Sequence, residues 1–333
     1  MSPRFTLRRL GAVVAAAALT LGLAACSGGT DTGGSTAPAN GGAPEVTDLA
    51  VGHVPVADQA ALFQAVNQGY FTDEGLNVTP QTAQGGAAAV PAMVAGDLDA
   101  VFGTYPSFLL AQQNVAELKI VSLGVAGSEN FAGVFVSPQS GITTIQDLAG
   151  KKLAVNTLNN TGDLTVKSVL KENNVDPAQV EFLEMPFPDM AAALERGNVD
   201  AAWAVEPFQT ALLEAGNTKL FSNFSGRTAT IPLAGIAMTA DFVDQNPNTA
   251  AAFARAMEKA NADLAANPDI ARELTPTYSQ TSTEVANKMQ LPTWKAGYPA
   301  VQDIELWNEV MVDGGALTEP IDLEKMIFTP PAQ

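Results

Sequence analysis

Only one cysteine, Cys26, and one histidine, His53, occur in the 333 residues, and 17 lysines and arginines stand against 35 aspartates and glutamates. With no cysteine beyond position 26, the body of the chain can build no disulfide framework, thiol nucleophile or thiolate metal site. One histidine leaves no His/Cys metal centre either, so neither a metal nor a cofactor is expected. A net charge of −18 repels phosphate backbones, and nucleic acid is therefore not an expected partner. It also repels an anionic bilayer, so no basic patch is on hand to hold a membrane. The uncharged stretch 10–25 has 16 residues, short of the roughly 20 that a membrane-spanning helix needs. None of Ser27, Ser107 and Ser225 lies in a G-x-S-x-G elbow, so nothing points to a serine hydrolase. What is plentiful is apolar: at 47% hydrophobic residues the core can supply the stability that disulfides do not. The length suits one large domain or two lobes.

Arg4, Arg8 and Arg9 make a basic start, the stretch 10–25 an apolar middle, and Leu23-Ala-Ala-Cys26 a small-residue cleavage site. That is the grammar of a secretory signal peptide over 1–25. The run Leu23-Ala-Ala-Cys26 resembles the lipobox of bacterial lipoproteins, which implies that Cys26 is lipidated and becomes the new N-terminus. Loss of three arginines and no acid takes the net charge from −18 to −21. Residues 27–44 hold six glycines and two prolines with almost no apolar side chain larger than alanine, too little to bury on folding. The lipidated segment 26–44 reads as a flexible tether whose ends lie roughly 20–25 Å apart.

Two stretches of the folded body share one pattern. Residues 77–103 run strand, short helix, Gly96-Asp-Leu-Asp-Ala100, strand; residues 180–203 run strand, short helix, Gly197-Asn-Val-Asp-Ala201, strand. Gly96 and Gly197 fit the left-handed residue that ends a helix. Strands alternating with short helices argue for parallel sheets in an α/β fold. Two copies about 100 residues apart predict two similar lobes. Further strands are predicted over 46–52, 118–124, 131–137, 152–156 and 233–239, and helices over 58–68, 161–174, 250–266 and 301–312. Beyond residue 240 the pattern is mainly helical. With crossings near 131–137 and 231–239, lobe I comprises 45–134 and 232–333, and lobe II 135–231.

The run from His53 to Val78, with Gly69-Tyr-Phe71 and Glu74-Gly-Leu-Asn-Val78, resembles the opening of the nitrate/sulfonate/taurine and thiamine-precursor binding proteins. So do Gly85-Gly86, Gly96-Asp-Leu-Asp-Ala100, the stretch 147–155, Gly197 to Pro207 and Gly314 to Asp322. The likeness spans about 46–329. It implies a two-lobed, type II periplasmic-binding-protein-like α/β fold with a ligand cleft between the lobes. It further implies a monomeric, non-catalytic solute-binding component of an ABC importer, which closes its lobes on a small molecule and delivers it to a permease and its ATPase. With the lipid on Cys26, such a protein is exported and anchored to the outer face of the cell membrane.

Ligands of open α/β sheets sit beyond the carboxyl ends of strands, where helix N-termini point. Residues 52–58, 84–87, 103–107, 156–163 and 203–207 are expected there, with 187–189 nearby. Candidate contacts are His53, Asp58, Gly85, Gly86, Tyr105, Asn156, Asn160, Thr161, Gly162, Trp203 and Glu206. Residues 159–163 start a helix, where free N–H groups and the helix dipole favour an anionic or acceptor group; Asp163 is read as a cap. Gly85 and Gly86 allow close backbone approach. Trp203 and Tyr105 are candidate stacking faces, with lobe core as the other reading of Trp203. His53 is either a contact or a satisfied surface histidine, and Glu206 either a contact or a structural residue. No lysine or arginine lies in these segments, whereas Asp58, Asp163, Asp189 and Glu206 do. That favours taurine-like zwitterions or an aminopyrimidine thiamine precursor over nitrate or a simple alkanesulfonate, although a distant Arg227 could swing in. Two other classes remain open: a sensor lipoprotein of the same fold, and an exported enzyme working through paired carboxylates.

Overall fold

A computed structural model describes residues 42–330 other than Gln84. The signal segment, Cys26 and most of the tether lie outside the described residues. Among the described residues twelve strands and twelve α-helices follow in order. The strands are β1 (Asp48–His53), β2 (Asn77–Thr82), β3 (Ala100–Thr104), β4 (Leu118–Leu123), β5 (Val125–Ala126), β6 (Ala132–Val136), β7 (Lys152–Val155), β8 (Glu181–Glu184), β9 (Ala201–Val205), β10 (Thr218–Phe221), β11 (Ala234–Thr239) and β12 (Thr293–Trp294). The helices are α1 (Ala60–Asn67), α2 (Tyr70–Asp73), α3 (Gly86–Ala95), α4 (Tyr105–Asn114), α5 (Thr161–Glu172), α6 (Phe187–Glu195), α7 (Phe208–Glu214), α8 (Ala240–Gln245), α9 (Pro247–Ala266), α10 (Ile270–Tyr278), α11 (Thr283–Lys288) and α12 (Glu305–Asp313).

The strands form two five-stranded sheets, ordered β2-β1-β3-β11-β4 and β10-β6-β9-β7-β8, and a small β12-β5 ribbon. β1 lies parallel between β2 and β3, and β7 parallel between β8 and β9. In each sheet the next strand, β11 or β6, runs antiparallel. The second sheet therefore repeats the first when β7, β8, β9, β6 and β10 stand for β1, β2, β3, β11 and β4. The chain leaves the first sheet after β4 and returns to it as β11, so the first sheet is discontinuous in sequence. Helices α8–α12 follow the last sheet strand and clothe sheets already formed; α9 packs on α1 and β4.

The repeated Gly-x-x-Asp-Ala motif has a structural cause. Gly96 and Gly197 adopt φ of 85° and 67° and stop α3 and lie just beyond α6. Three residues on, Asp99 Oδ2 accepts the Ala50 N–H at 2.7 Å while the Asp99 N–H donates to Ala50 O at 2.9 Å. Asp200 does the same with Lys152, at 2.9 Å in both bonds. Each aspartate thus ties the start of one parallel strand, β3 or β9, to its parallel neighbour, β1 or β7, satisfying a main-chain donor that the ladder leaves open. Among the described residues no helix is long and apolar enough to cross a membrane.

Candidate functional site

The carboxyl ends of the parallel strands in both sheets face one cavity, with about 70 Å³ of room for water centres. From the first sheet, the segment after β1 contributes Val54, Val56, Asp58 and Gln59, and the end of β3 contributes Phe102, Gly103, Thr104 and, on α4, Ser107. From the second, the segment after β7 contributes Asn156, Thr157, Asn160 and Thr161, and β9 contributes Trp203 and Val205. Gly85 and Phe187 add to the wall, and Phe131, Phe224 and Leu233, on the segments that cross between sheets, complete it. Among the described residues no lysine or arginine lines the cavity, and Asp58 is its one charged group.

Asn160 organises the second-sheet wall. As N-cap of α5 its Oδ1 accepts the Thr161 N–H at 2.8 Å and the Thr104 hydroxyl at 2.7 Å. Its Nδ2 donates to Ser107 Oγ at 2.8 Å, and Thr104 and Ser107 hydroxyls lie 3.0 Å apart. One amide thus caps a helix of one sheet and bonds two hydroxyls of the other. Asp163 closes the capping box, accepting the Asn160 N–H at 2.7 Å and the Asn159 N–H at 3.1 Å, and it is paired with Lys167 at 2.8 Å. It caps α5, as its place in the sequence indicated. Gly162 lies flat on the Trp203 indole: a Cβ there would meet Cε3 at 2.5 Å.

Four polar side-chain atoms on this wall are buried without a hydrogen-bond partner: Asp58 Oδ1, Gln59 Oε1, Thr161 Oγ1 and Trp203 Nε1. Buried polar groups are nearly always paired, because an unpaired one costs about 1–3 kcal/mol. Four together on one small cavity mark a place where a polar molecule completes the set. Acceptors sit on the first-sheet side, and an N–H donor and a hydroxyl on the second. Asp58 as a residue is half-buried, but its Oδ1 is sealed from solvent; burial pushes its carboxyl up to about 7, against weaker help from its own N–H and the Gln59 side chain.

Of the residues singled out in the sequence, Asp58, Gly85, Asn156, Asn160, Thr161 and Trp203 line the cavity. Gly86 is the first residue of α3. Gly162 stands behind the wall, under Trp203. His53, Tyr105 and Glu206 lie outside the lining. His53 is buried rather than at the surface, edge-on to Phe63 at 4.9 Å, with Nε2 3.2 Å from the Thr82 hydroxyl; burial lowers its pKa. Tyr105 is buried core, its hydroxyl against Gly235 of β11. Glu206 is fully buried and satisfied: Oε1 accepts from Gln209 Nε2, the Thr210 hydroxyl and Gln290 N–H at 2.8–2.9 Å, and Oε2 from Thr210 N–H at 3.2 Å. Arg227 is paired with Asp313 at 2.6 Å. Gln59 and the aromatics Phe131 and Phe224 were not singled out. Gln59 sits one residue past the expected segment, Phe131 opens the expected crossing at 131–137, and Phe224 lies before the expected crossing at 231–239, on the chain between β10 and β11.

Residues 57–271 match the family described as NMT1/THI5 like. The taurine-binding periplasmic protein of Escherichia coli (strain K12) is 27% identical over 228 residues, 68% of this chain and 69% of that protein. The riboflavin-binding protein RibY of Chloroflexus aurantiacus is 24% identical over 339 aligned positions, 92% of this chain and 95% of that one. Among solved structures, the ligand-binding component of an ABC-type import system from Staphylococcus aureus, with zinc bound, superposes with a TM-score of 0.74 at 14% identity, covering 85% of this chain and 97% of that one. At that identity the likeness is one of fold.

Proposed function

The chain belongs to the NMT1/THI5-like family, and on that premise we propose that it is the exported solute-binding component of an ABC importer. The observation that carries this reading is the set of four unpartnered polar atoms walling a cavity between two sheets. In the proposal, lobe I (45–134 and 232–333) and lobe II (135–231) close on a small organic solute, taurine-like or sulfonate-like or an aminopyrimidine thiamine precursor. The protein catalyses nothing: it presents the closed form to a permease and its ATPase, as a monomer held to the outer face of the cell membrane by lipid on Cys26. The segment 26–44 lets the body reach the permease.

Size supports the small end of this range. A water needs roughly 10–15 Å³ of such space, so a cavity of about 70 Å³ matches about five to seven non-hydrogen atoms. A taurine-sized molecule fits, whereas a flavin needs the lobes to open. The N-terminus of α5, with Thr161 on the wall, favours an acid oxygen there.

A thermal-shift series on the purified protein with taurine, alkanesulfonates, nitrate and aminopyrimidine precursors tests the reading. A solute at 100 times its dissociation constant adds about 2.7 kcal/mol of stability, and one such rise is expected. No rise with any compound, from protein freed of bound solute, sinks it. Lipid anchoring is checked by fatty-acid labelling, which Cys26→Ala is expected to abolish while releasing the protein from the membrane.

A further inference from the structure

We propose that Asp58 selects solutes that carry a protonated nitrogen, and that capture expels a proton from its carboxyl group to solvent. The proposal rests on the solute-binding reading above and names the chemistry of that site. Three observations carry it. Asp58 is the one ionisable group among the described lining residues, and no cation on the wall stands ready to pair with it. Its Oδ1 and the neighbouring Gln59 Oε1 are both acceptors, both buried and both without a donor. The opposite wall offers the Trp203 indole N–H and the Thr161 hydroxyl, so a solute with donors at one end and acceptors at the other satisfies all four atoms.

The ionisable groups that face Asp58 from the packed elements do not supply a positive partner. Tyr278 of α10 places its hydroxyl on Val56 O at 3.2 Å and Ala57 O at 3.5 Å. Glu206 accepts the Ala57 N–H through its main-chain oxygen at 3.3 Å. Burial lowers the pKa of His53, which disfavours its charged form, and Arg272 of α10 is spent on Asp269 and on Met289 O. Without solute, burial keeps the Asp58 carboxyl protonated up to about pH 7. An ammonium or ring N–H⁺ docked on it stabilises the ionised form instead. The carboxyl proton leaves for water, the nitrogen keeps its own, and the buried pair is neutral overall.

The test uses taurine and its hydroxyl analogue, 2-hydroxyethanesulfonate, which differ only in the nitrogen, with ethanesulfonate, nitrate and an aminopyrimidine beside them. Affinities are measured by calorimetry from pH 5.5 to 8. Taurine is expected to bind at least a hundredfold more tightly than the analogue. Its affinity should rise about tenfold per pH unit below 7 and level off above, because one proton is released on binding below the free carboxyl's pKa. Asp58→Asn is expected to remove both the preference and the slope, with circular dichroism confirming that the variant folds. An aminopyrimidine that binds the parent and loses its affinity in folded Asp58→Asn also supports the proposal. Equal binding of taurine and its analogue, a flat pH profile, or an unchanged preference in folded Asp58→Asn overturns it. Binding of nitrate or ethanesulfonate without any amine overturns the selectivity and leaves the solute-binding reading standing; no binding by any compound removes both.

Discussion

At the scale of single residues, the buried carboxyl of Asp58 sets a stability cost that solute relieves. Its folded pKa of about 7 lies above the ordinary 3.8, so between those values the folded chain holds a proton that the unfolded chain has lost. Stability is then full below about pH 4 and falls as pH rises to about 7. After discounting for water entry, the fall attributable to Asp58 is on the order of 2 kcal/mol. Glu206, also raised by burial, adds in the same direction. Urea denaturation of the solute-free protein at pH 4.5 and 7.5 measures the fall, and Asp58→Asn should flatten part of it. Which polar residues meet the cavity was legible where position along the chain decides it. Asp58, Asn160 and Thr161 follow strand ends, and strand ends of parallel sheets face the ligand side. Position does not say which way a side chain leaves the sheet. His53 is the last residue of β1, yet its ring packs against Phe63 of α1. Glu206 follows β9 but turns to the Gln209, Thr210 and Gln290 donors.

At the scale of elements, two local designs invite tests. The first is the strand tie. Asp99→Ala leaves the Ala50 N–H without its 2.7 Å acceptor, and Asp200→Ala does the same to Lys152. Asp99→Ala, which leaves a part-buried donor, is expected to cost about 1–3 kcal/mol, and Asp200→Ala, whose bond is open to water, about 0.5–1.5 kcal/mol, each seen as a fall in the urea midpoint. Because the two ties sit in separate sheets with no shared partner, the double variant should lose close to the sum. The second is the stack of α5 on Trp203. Gly162→Ala forces the indole away from a Cβ that would lie 2.5 Å from its Cε3, at about 1–3 kcal/mol, and it moves the Nε1 donor on the cavity wall. Tryptophan fluorescence should shift and solute affinity should fall together. The glycine stops and the repeated Asp-Ala pair were legible because helix ends and strand starts are local events. The two aromatic crossings, Phe131 and Phe224, became wall only through tertiary packing, stacked with ring centroids 6.4 Å apart, and nothing in their own spacing announces it.

For the whole molecule, the question is what holds the two sheets' halves together around the cavity. Links that cross between them include Thr104 and Ser107 to Asn160, Gln290 N–H to the Glu206 carboxylate, Ala57 N–H to Glu206 O, Lys288 of α11 to Glu214 of α7 at 2.6 Å, and, on the α12 side, Arg227 and Lys171 to Asp313. The Lys288–Glu214 pair is half-exposed and worth little by itself. The Asn160 bonds are buried, so they matter more: the same amide must cap α5 and bind the opposite half at once. If the halves part, Asn160 Oδ1 keeps the Thr161 N–H and loses the Thr104 hydroxyl, so the helix cap survives opening while the bridge does not. Closure by this route needs no solute, and it fits the small volume of the cavity. Thr104→Val with Ser107→Ala removes the bridge and leaves the four unpartnered wall atoms in place. Small-angle scattering of the solute-free variant should then show a larger radius of gyration than the parent, while added solute restores the parent value. Solute affinity should fall by about thirtyfold, because two lost hydrogen bonds of about 1 kcal/mol each now have to be made good by the solute. An unchanged solute-free radius would mean that the crossing segments and the remaining links set the closed form, and that the Asn160 bridge follows closure rather than favouring it.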